Sequence, residues 1–403
     1  MAPINEALYL GFLNNGKIFK YDLTTLSKTD LAIRPVYWYY GCKGVWDGGC
    51  KIYIGGELNS YAHCSIYPYD IIQDSFGSEL SNDGFTDDTE EGFSLVLDGF
   101  NRIYMGPGDT SYSYAYPIAE GLWDRNGLAN FPFVLDYGGQ MVHVPMSATY
   151  SPGYLYAAAG NYTSSWYYID PRNDGIWTVR AYLPASGRWA GSSWAGEYIY
   201  ILADNGALYR YDVNGNSWST MSAAPNSGYF YHSDNLVSDM DPNGFLYAWN
   251  PSDKKIYYYD IDGDSWGTLV TFTDAFTSYY SFLTYVSQRR FEYLESDGVT
   301  HLDDPFAIND AEAGSPGSGV KRYLKALEAV SGVSIEVKSD TRGDDDDILE
   351  VAPDSGGSPG TWGASASLGD FSADQAKPFW LRANPGADES LGKRACKIEV
   401  AVS

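Results

Sequence analysis

Eight residues of this chain have side chains suited to binding a sugar, and they fall in loops predicted at one end of the fold. Aromatic rings lie flat on the CH faces of sugars, while a guanidinium group donates hydrogen bonds to the hydroxyls. The predicted ligand-binding residues are Trp38, Tyr112, Tyr162, Arg188, Trp189, Tyr229, Tyr231 and Trp249. The alternative is that such rings fill space between sheets, which we expect for tyrosines at repeated strand positions.

Metal chemistry has less support in the sequence. The chain has four histidines, which are His63, His143, His232 and His301. No two of them have the spacing of metal ligands. The acidic runs at residues 260–264 and 344–347 have oxygens for Ca²⁺, but both lack the glycine and glutamate spacing of an EF-hand loop. We therefore predict solvated turns there, and neither a metal nor a cofactor.

The elements that must position these residues repeat along the chain. An aliphatic residue followed by tyrosine opens a short apolar run six times. The pairs are Leu8-Tyr9, Ile52-Tyr53, Ile103-Tyr104, Leu155-Tyr156, Ile199-Tyr200 and Leu246-Tyr247. The tyrosines follow one another at intervals of 44, 51, 52, 44 and 47 residues. Short strands repeated at this interval are typical of the blades of a β-propeller.

The fifth repeat predicts the strands of a blade most clearly. Residues 197–202, 207–212 and 217–221 alternate as strands, and Asn-Gly pairs lie between them at 205–206 and 214–215. An Asn-Gly pair is typical of a two-residue hairpin turn, in which both residues have positive φ.

The ring of blades is predicted to close through the two ends of the first domain. Five repeats have a candidate innermost strand, at 41–47, 93–98, 142–150, 188–195 and 231–239. The first repeat lacks one, because the chain opens almost directly on Leu8. Residues 279–286 supply the missing strand, which removes both exposed sheet edges. We therefore predict six blades within residues 1–290.

Several repeats share a further pattern. Ile52-Tyr53-Ile54-Gly55-Gly56 is followed by Tyr69-Asp70, and later repeats place a turn and tryptophan after Tyr211-Asp212 and Tyr259-Asp260. This pattern resembles the kelch repeat, although only the second repeat keeps the double glycine. The resemblance implies a six-bladed kelch-like β-propeller over residues 8–290.

Residues 291–403 differ from the repeats in amino-acid composition and in pattern. They carry 21 acidic and 10 basic residues, and short alternating runs are separated by Gly, Ser, Pro and Asp turns. These runs predict a β-sandwich. Residues 310–314 and 323–325, with Leu368-Gly369-Asp370 and residues 378–382, are similar to the Ig-like modules of tailed-phage structural proteins. The resemblance implies that Trp380 lies in the core with Arg382 beside it.

Two enzyme classes share parts of this layout. A kelch-like propeller followed by an Ig-like domain resembles galactose oxidase, but the four histidines do not form its copper site. A sialidase requires an Asp at the positions of Val213 and Ile261 in the repeated turns. Carboxylates are so abundant that a pair at glycosidase separation would arise by chance. We expect no enzymatic activity, and keep a carbohydrate-active enzyme as the alternative.

The charge and hydropathy of the chain indicate which kinds of partner we do not expect it to bind. The net charge of −26 and the pI near 4.3 would repel nucleic acid. No stretch approaches the ~18 apolar residues that cross a membrane, so we expect no membrane insertion. The N-terminus has no basic region followed by an apolar one, so we expect no signal peptide.

We predict free buried thiols for the four cysteines, and leave a Cys50–Cys64 disulfide open.

Together these features predict an all-β, non-enzymatic virion protein of a tailed bacteriophage, made in the host cytoplasm. We expect it to contact other virion structural proteins in multiple copies per particle and to bind host-surface polysaccharide. A capsid or tail decoration protein without a ligand is a further alternative.

Overall fold

The chain is all-β, as predicted. The computed structural model describes residues 6–12, 17–31, 38–48, 50–58, 63–80, 93–98, 102–108, 111–118, 123–124, 128–136, 138–145, 153–160, 162–171, 175–195, 197–225, 230, 236–238, 244–273, 281–286, 291–294, 319–326, 329–338, 349–373, 375–383 and 397–402. Within these residues every regular element is a strand. Accordingly, they contain no helix long and apolar enough to cross a membrane.

The chain divides into two compact units. The larger comprises Asn5–Asp98 and Arg102–Ser287, and the smaller includes Gln288–Ser403.

The described strands of the larger unit form six antiparallel sheets, here numbered along the chain. Each sheet is given from its first to its outermost strand. Sheet 1 contains Ser281–Val286, Ala7–Phe12, Ile18–Asp22 and Ser27–Asp30; sheet 2 contains Trp38–Trp46, Lys51–Leu58, His63–Asp70 and Ser75–Phe76; sheet 3 contains Ser94–Leu97, Arg102–Gly106 and Tyr114–Pro117; sheet 4 contains Gln140–Val144, Tyr154–Ala158, Trp166–Ile169 and Thr178–Val179; sheet 5 contains Trp189–Ala195, Tyr198–Ala203, Leu208–Asp212 and Ser217–Thr220; sheet 6 contains Leu236–Ser238, Phe245–Asn250, Lys255–Asp260 and Ser265–Thr271.

The first strands of these sheets are neighbours in cyclic order. Each one lies beside the first strand of the next sheet, and that of sheet 6 lies beside that of sheet 1. Side chains join them: the Ser192 hydroxyl donates to the Met141 carbonyl at 3.1 Å, and the Met141 amide donates to the Ser94 hydroxyl at 2.8 Å. Sheet 1 is built from both ends of the unit, since Ser281–Val286 pairs with Ala7–Phe12.

Large apolar side chains pack between neighbouring sheets rather than in one central core. Tyr156 of sheet 4 packs on Tyr211 of sheet 5, with ring centroids 5.8 Å apart. Tyr200 of sheet 5 packs in the same way on Tyr259 of sheet 6, at 6.3 Å. All four rings are buried. The repeated tyrosine of the second strand is buried in all six sheets, so it belongs to the core, as the sequence predicted.

A four-residue turn joins the third and fourth strands of sheets 1, 2, 5 and 6. In sheet 5, one carboxylate oxygen of Asp212 accepts hydrogen bonds from the amides of Asn214 and Gly215, at 2.9 and 2.8 Å. Only Asn216, the last turn residue, has a positive φ, of 46°. The predicted two-residue Asn-Gly turn is therefore wrong at this position, because the Asp212 side chain stabilises a longer turn.

In sheets 5 and 6, the last residue of this turn also forms a hydrogen bond with the preceding sheet or the segment that follows it. Asp264 of sheet 6 accepts from the Tyr259 hydroxyl at 2.6 Å and from the Ser222 amide at 2.8 Å. The Trp266 indole donates to the Ser222 carbonyl at 2.8 Å. We call this three-bond contact the clasp. Sheet 5 has the equivalent contact, made by Asn216 and Trp218 on both backbone groups of Ala181.

The smaller unit contains two antiparallel sheets. One orders Phe291–Leu294, Val320–Ala326, Ala376–Ala383 and Leu349–Pro353, and the other orders Ser365–Phe371, Val330–Lys338 and Lys397–Val402. Both sheets contribute to one core, which includes Leu324, Ile335 and Phe379.

The prediction that Trp380 lies in this core is wrong. Its neighbours Phe379 and Leu381 are fully buried, so Trp380 and Arg382 point to the opposite face of the strand. There the Trp380 indole donates to Asp354 at 2.8 Å, and Arg382 pairs with Glu350 at 2.6 Å.

Three of the cysteines, Cys42, Cys50 and Cys64, are buried and are not joined in a disulfide. Cys64 lies opposite Glu57 in sheet 2, so it does not face Cys50. Cys396 lies outside the described residues.

Candidate functional site

The described members of the predicted ligand-binding set belong to one end of the sheets, which we call the top end. At this end the first strand of a sheet begins and its second strand ends, as where Trp189 pairs with Ala203 in sheet 5. Trp38 begins the first strand of sheet 2, and Trp249 lies one residue from the end of the second strand of sheet 6. The side chain of Trp38, and Tyr229 and Tyr231 altogether, lie outside the described residues.

Trp189 and Trp249 are not available to a ligand, which corrects their prediction as sugar-binding rings. Both have an exposed fraction of 0%. The Trp189 ring packs edge-on against Tyr209 in the core shared by sheets 4 and 5, with centroids 6.2 Å apart. The Trp249 ring packs edge-on against Phe272 at 5.7 Å. Each residue lies in a strand and points between two sheets, so it belongs to the structural alternative.

The connections that hold Tyr112 and Tyr162 are longer than their counterparts. The second and third strands are joined by four residues in sheets 2, 5 and 6, but by seven residues in sheets 3 and 4. Tyr112 is half-buried against the core between sheets 2 and 3. Tyr162 is 58% exposed. Of the two, Tyr162 offers the larger surface to a ligand.

The structure brings together two of the predicted residues, Tyr162 and Arg188. The Arg188 guanidinium lies 4.9 Å from the centroid of the Tyr162 ring, which is within the range of a cation–π contact. The Tyr162 amide donates to the Gly187 carbonyl at 3.1 Å, so the two loops are joined by backbone as well. These two contacts fix the Tyr162 ring and the Arg188 guanidinium relative to each other.

The backbone of Tyr162 is strained. Its φ of 60° lies in the left-handed region, which an aromatic residue rarely adopts. The turn is stabilised by the Thr163 amide, which donates to the Gly160 carbonyl at 2.9 Å. Strain of this kind costs about 1–3 kcal/mol and is concentrated at functional sites.

Asp204 is the third member of the site, and the sequence analysis did not select it. Its amide donates to the Arg188 carbonyl at 2.9 Å, and its own carbonyl accepts from the Phe230 amide at 2.8 Å. Burial raises the pKa of the Asp204 carboxyl above its ordinary value, while the positive charge of Arg188 acts in the opposite direction. A partly buried carboxyl beside an arginine can hold ligand hydroxyls.

Gln140 adds a buried acceptor at the top end of sheet 4. Its Nε2 atom donates to the Trp189 carbonyl at 3.4 Å. Its Oε1 atom is buried and has no hydrogen-bond partner within the described residues. Because the Oε1 atom has almost no exposed surface, we do not count it among the groups that face a ligand.

The site therefore offers an exposed ring, a guanidinium group and a carboxyl group. In the described part of the chain, no group of three His, Cys, Asp or Glu side chains is placed to hold a metal ion. The arrangement suits a neutral or weakly acidic ligand that is rich in hydroxyls, because rings bind CH faces and planar polar groups bind hydroxyls.

Comparison with known proteins gives a likeness of fold. No family model matches the sequence, and no curated protein matches it. The chain is similar to a chain in the crystal structure of a nidogen/laminin complex, with a TM-score of 0.50 and 12% identity. The likeness covers 68% of this chain and 98% of that one. At this identity it concerns the fold alone, and it supports an all-β fold of propeller-like type.

Proposed function

We propose that this chain is a non-enzymatic binding protein that holds a polysaccharide at the top end of its larger unit. The observation that carries the proposal is the Tyr162 ring, exposed at positive φ and held against Arg188. An exposed ring costs little conformational entropy on binding when its loop is already fixed. Asp204 then supplies hydrogen-bonding oxygens beside it.

We further propose that the larger unit is a six-bladed kelch-like propeller and the smaller an Ig-like sandwich. The cyclic order of the six first strands and the recurring Tyr-Asp turn support the first assignment. Two antiparallel sheets of four and three described strands around one core support the second. In a propeller the top-end loops of all blades surround one axis, which allows several of them to contact one ligand.

The proposed setting is the virion of a tailed bacteriophage, where the chain contacts other structural proteins and binds host-surface polysaccharide. Weak single-site binding suffices there, because repeated copies on one particle convert it into avidity. Mass spectrometry of purified particles tests the setting. A chain found in lysates but absent from the particles would contradict it, while leaving the binding proposal intact.

The binding test uses the full chain on an array of bacterial surface polysaccharides, with chromatographic analysis of the glycan afterwards. We expect binding without shortening of the glycan. Tyr162→Ala should weaken it at least about tenfold, equivalent to about 1.4 kcal/mol, whereas Tyr162→Phe keeps the ring and should bind. Arg188→Lys should weaken it as well, since an ammonium group does not stack as a guanidinium does.

The chain offers a matched control. In sheet 5 the Arg210 guanidinium lies 4.5 Å from the Tyr198 ring, and Tyr198 begins the second strand, at the end opposite the top. Tyr198→Ala should leave binding unchanged. Equal losses in the Tyr162 and Tyr198 variants would remove the site assignment. Shortened glycan would make the protein an enzyme, and no binding by the wild type would favour a decoration protein without a ligand.

A further inference from the structure

The outer edge of sheet 4 exposes apolar side chains. Six large hydrophobic residues are exposed in the described part of the chain, and four of them lie at this edge: Val134, Ile176, Val179 and Tyr182. The exposed fraction is 86% for Ile176 and 64% for Tyr182. Scattered apolar residues are common on protein surfaces, but a concentration of them marks an interaction site. We call residues 128–135 and 175–187 together the apolar edge.

The two segments of the apolar edge form one surface. The Phe131 and Trp177 rings pack with centroids 4.9 Å apart, and the Trp177 indole donates to the Ala129 carbonyl at 2.8 Å. Phe133 packs against Tyr167 at 4.9 Å, and Tyr167 lies directly opposite Val179 in the sheet. The exposed side chains are therefore carried by a fixed backbone.

The apolar edge lacks acidic residues. In a chain with 52 acidic residues and a net charge of −26, its two segments contain no Asp or Glu and a single cation, Arg180. Asp136 and Asp174 directly adjoin the segments in the sequence. The Arg180 guanidinium lies 4.0 Å from the centroid of the Tyr168 ring. Two copies of so acidic a chain repel each other, and the repulsion is smallest where neither presents a carboxylate.

The backbone at this edge is also open to pairing. Thr178–Val179 is the outermost described strand of sheet 4. The Arg180 amide donates to the Trp166 carbonyl at 2.9 Å, so by alternation the amide and carbonyl of Val179 point away from the sheet. Charged side chains commonly protect such edges, as the Lys28–Asp30 pair does in the outer strand of sheet 1. The strand Thr178–Val179 carries no charged side chain, and the adjoining Ala181 is bonded by Asn216 and Trp218 of sheet 5.

We propose that two copies of this chain associate through their apolar edges about a two-fold axis. A strand edge is complementary to itself in the antiparallel sense, which is what a two-fold contact requires. Apolar side chains then cover their own counterparts, and no carboxylate of the apolar edge is buried. Tyr162 contacts the apolar edge at Gly187, through its amide, so one dimer would carry two ligand sites beside its interface.

The test measures the mass of the full chain in solution by light scattering and sedimentation over a range of concentrations. We expect a dimer for the wild type and a single chain for Ile176→Asp and Val179→Asp, which place like charges against each other. Leu26→Asp is the matched control, because Leu26 is 62% exposed in the turn of sheet 1 and should leave the dimer intact.

Cross-linking gives an independent reading that does not depend on a destabilising charge. In a Cys396→Ser background, Val179→Cys should form a disulfide between two chains when copper–phenanthroline is added. Leu26→Cys in the same background should not, nor should the Cys396→Ser chain itself, whose Cys42, Cys50 and Cys64 are buried. A wild type that stays a single chain at its solubility limit would overturn the proposal. So would a trimer, a dimer that persists in both Asp variants, or equal cross-linking of the two Cys variants.

Discussion

We predict that changing Asp264 to Ala lowers the free energy of unfolding, because Asp264 belongs to the clasp between sheets 5 and 6. The substitution removes the acceptor of two hydrogen bonds at once, one from the Tyr259 hydroxyl and one from the Ser222 amide. Tyr259 is fully buried, so its hydroxyl is left without this partner in the core. Asp264 also has a positive φ of 42°, which Ala tolerates less well than Asp.

The size of the loss follows from these three contributions. A hydrogen bond to a charged group contributes about 1.5–3 kcal/mol, but much of that is screened here because the Ser222 bond is exposed. A buried donor left unpaired costs about 1–3 kcal/mol, and left-handed strain adds about 1 kcal/mol. We therefore expect Asp264→Ala to lower the free energy of unfolding by about 2–4 kcal/mol. Asp264→Asn keeps an acceptor oxygen, as Asn216 does in sheet 5, and should cost under about 1 kcal/mol.

Urea denaturation followed by tryptophan fluorescence measures this difference, because Trp266 belongs to the same clasp. A double-mutant cycle with Tyr259→Phe isolates the hydroxyl bond from the rest. We expect Asp264→Ala to cost less in the Tyr259→Phe background, since no buried donor is then left unpaired. Equal losses for the Ala and Asn variants, or no coupling to Tyr259, would refute the reasoning.

Two further predictions concern acid stability and backbone strain. The hydrogen bond from Tyr259 lowers the pKa of Asp264, so the contribution of this carboxylate is present above its unfolded pKa of about 3.9 and is lost as the pH falls through the lower folded value. Thermal melting below about pH 4 should therefore be less pH-dependent in Asp264→Asn, and an unchanged dependence would count against the assignment. Gly138 and Gly48 both have a φ of 77°. A Cβ on Gly138 would lie 2.4 Å from the backbone nitrogen of Trp189, whereas a Cβ on Gly48 would have no atom within 4 Å. Gly48→Ala should cost about 1–2 kcal/mol and Gly138→Ala clearly more, measured as urea midpoints; equal costs would show that the loop at Trp189 moves freely.

The sequence predicted the sheets well where local pattern decides them. Period-two alternation and the Tyr-Asp pairs predicted the strands of sheet 5 to within about two residues, because one face of each strand must be buried. The turns were harder. Leu26 occupies the positive-φ position that Asn216 and Asp264 fill in other sheets, although leucine is not a turn residue. There the Asp22 carboxylate accepts from the Thr24 and Thr25 amides and stabilises the turn, as Asp212 does in sheet 5.

The candidate site was harder to predict than the fold. Trp189 and Tyr162 are both aromatic residues at predicted loop boundaries, yet one is fully buried and the other is largely exposed. Which way a ring points depends on whether its residue is already in the pleat of a strand, and a boundary error of one residue reverses the answer. Asp204 was missed for another reason. It opens an Asp-Asn-Gly turn, and turn formation alone accounts for an aspartate there.

In the regular parts of the repeat, polar side chains form hydrogen bonds that stabilise the fold. Polar and aromatic side chains in the irregular parts are therefore the better candidates for binding a ligand. The turns between the third and fourth strands of sheets 5 and 6 use Asp212 and Asp264 on backbone amides and in the clasp, which leaves those two carboxylates little capacity for a ligand. The lengthened connection of sheet 4 instead holds Tyr162 exposed and strained beside Arg188. A scaffold of repeated sheets tolerates such insertions in its loops, because the strands on either side keep their own hydrogen bonds. The exposed edge of the same sheet departs from the repeat as well, so sheet 4 contributes to both of the binding surfaces that we propose.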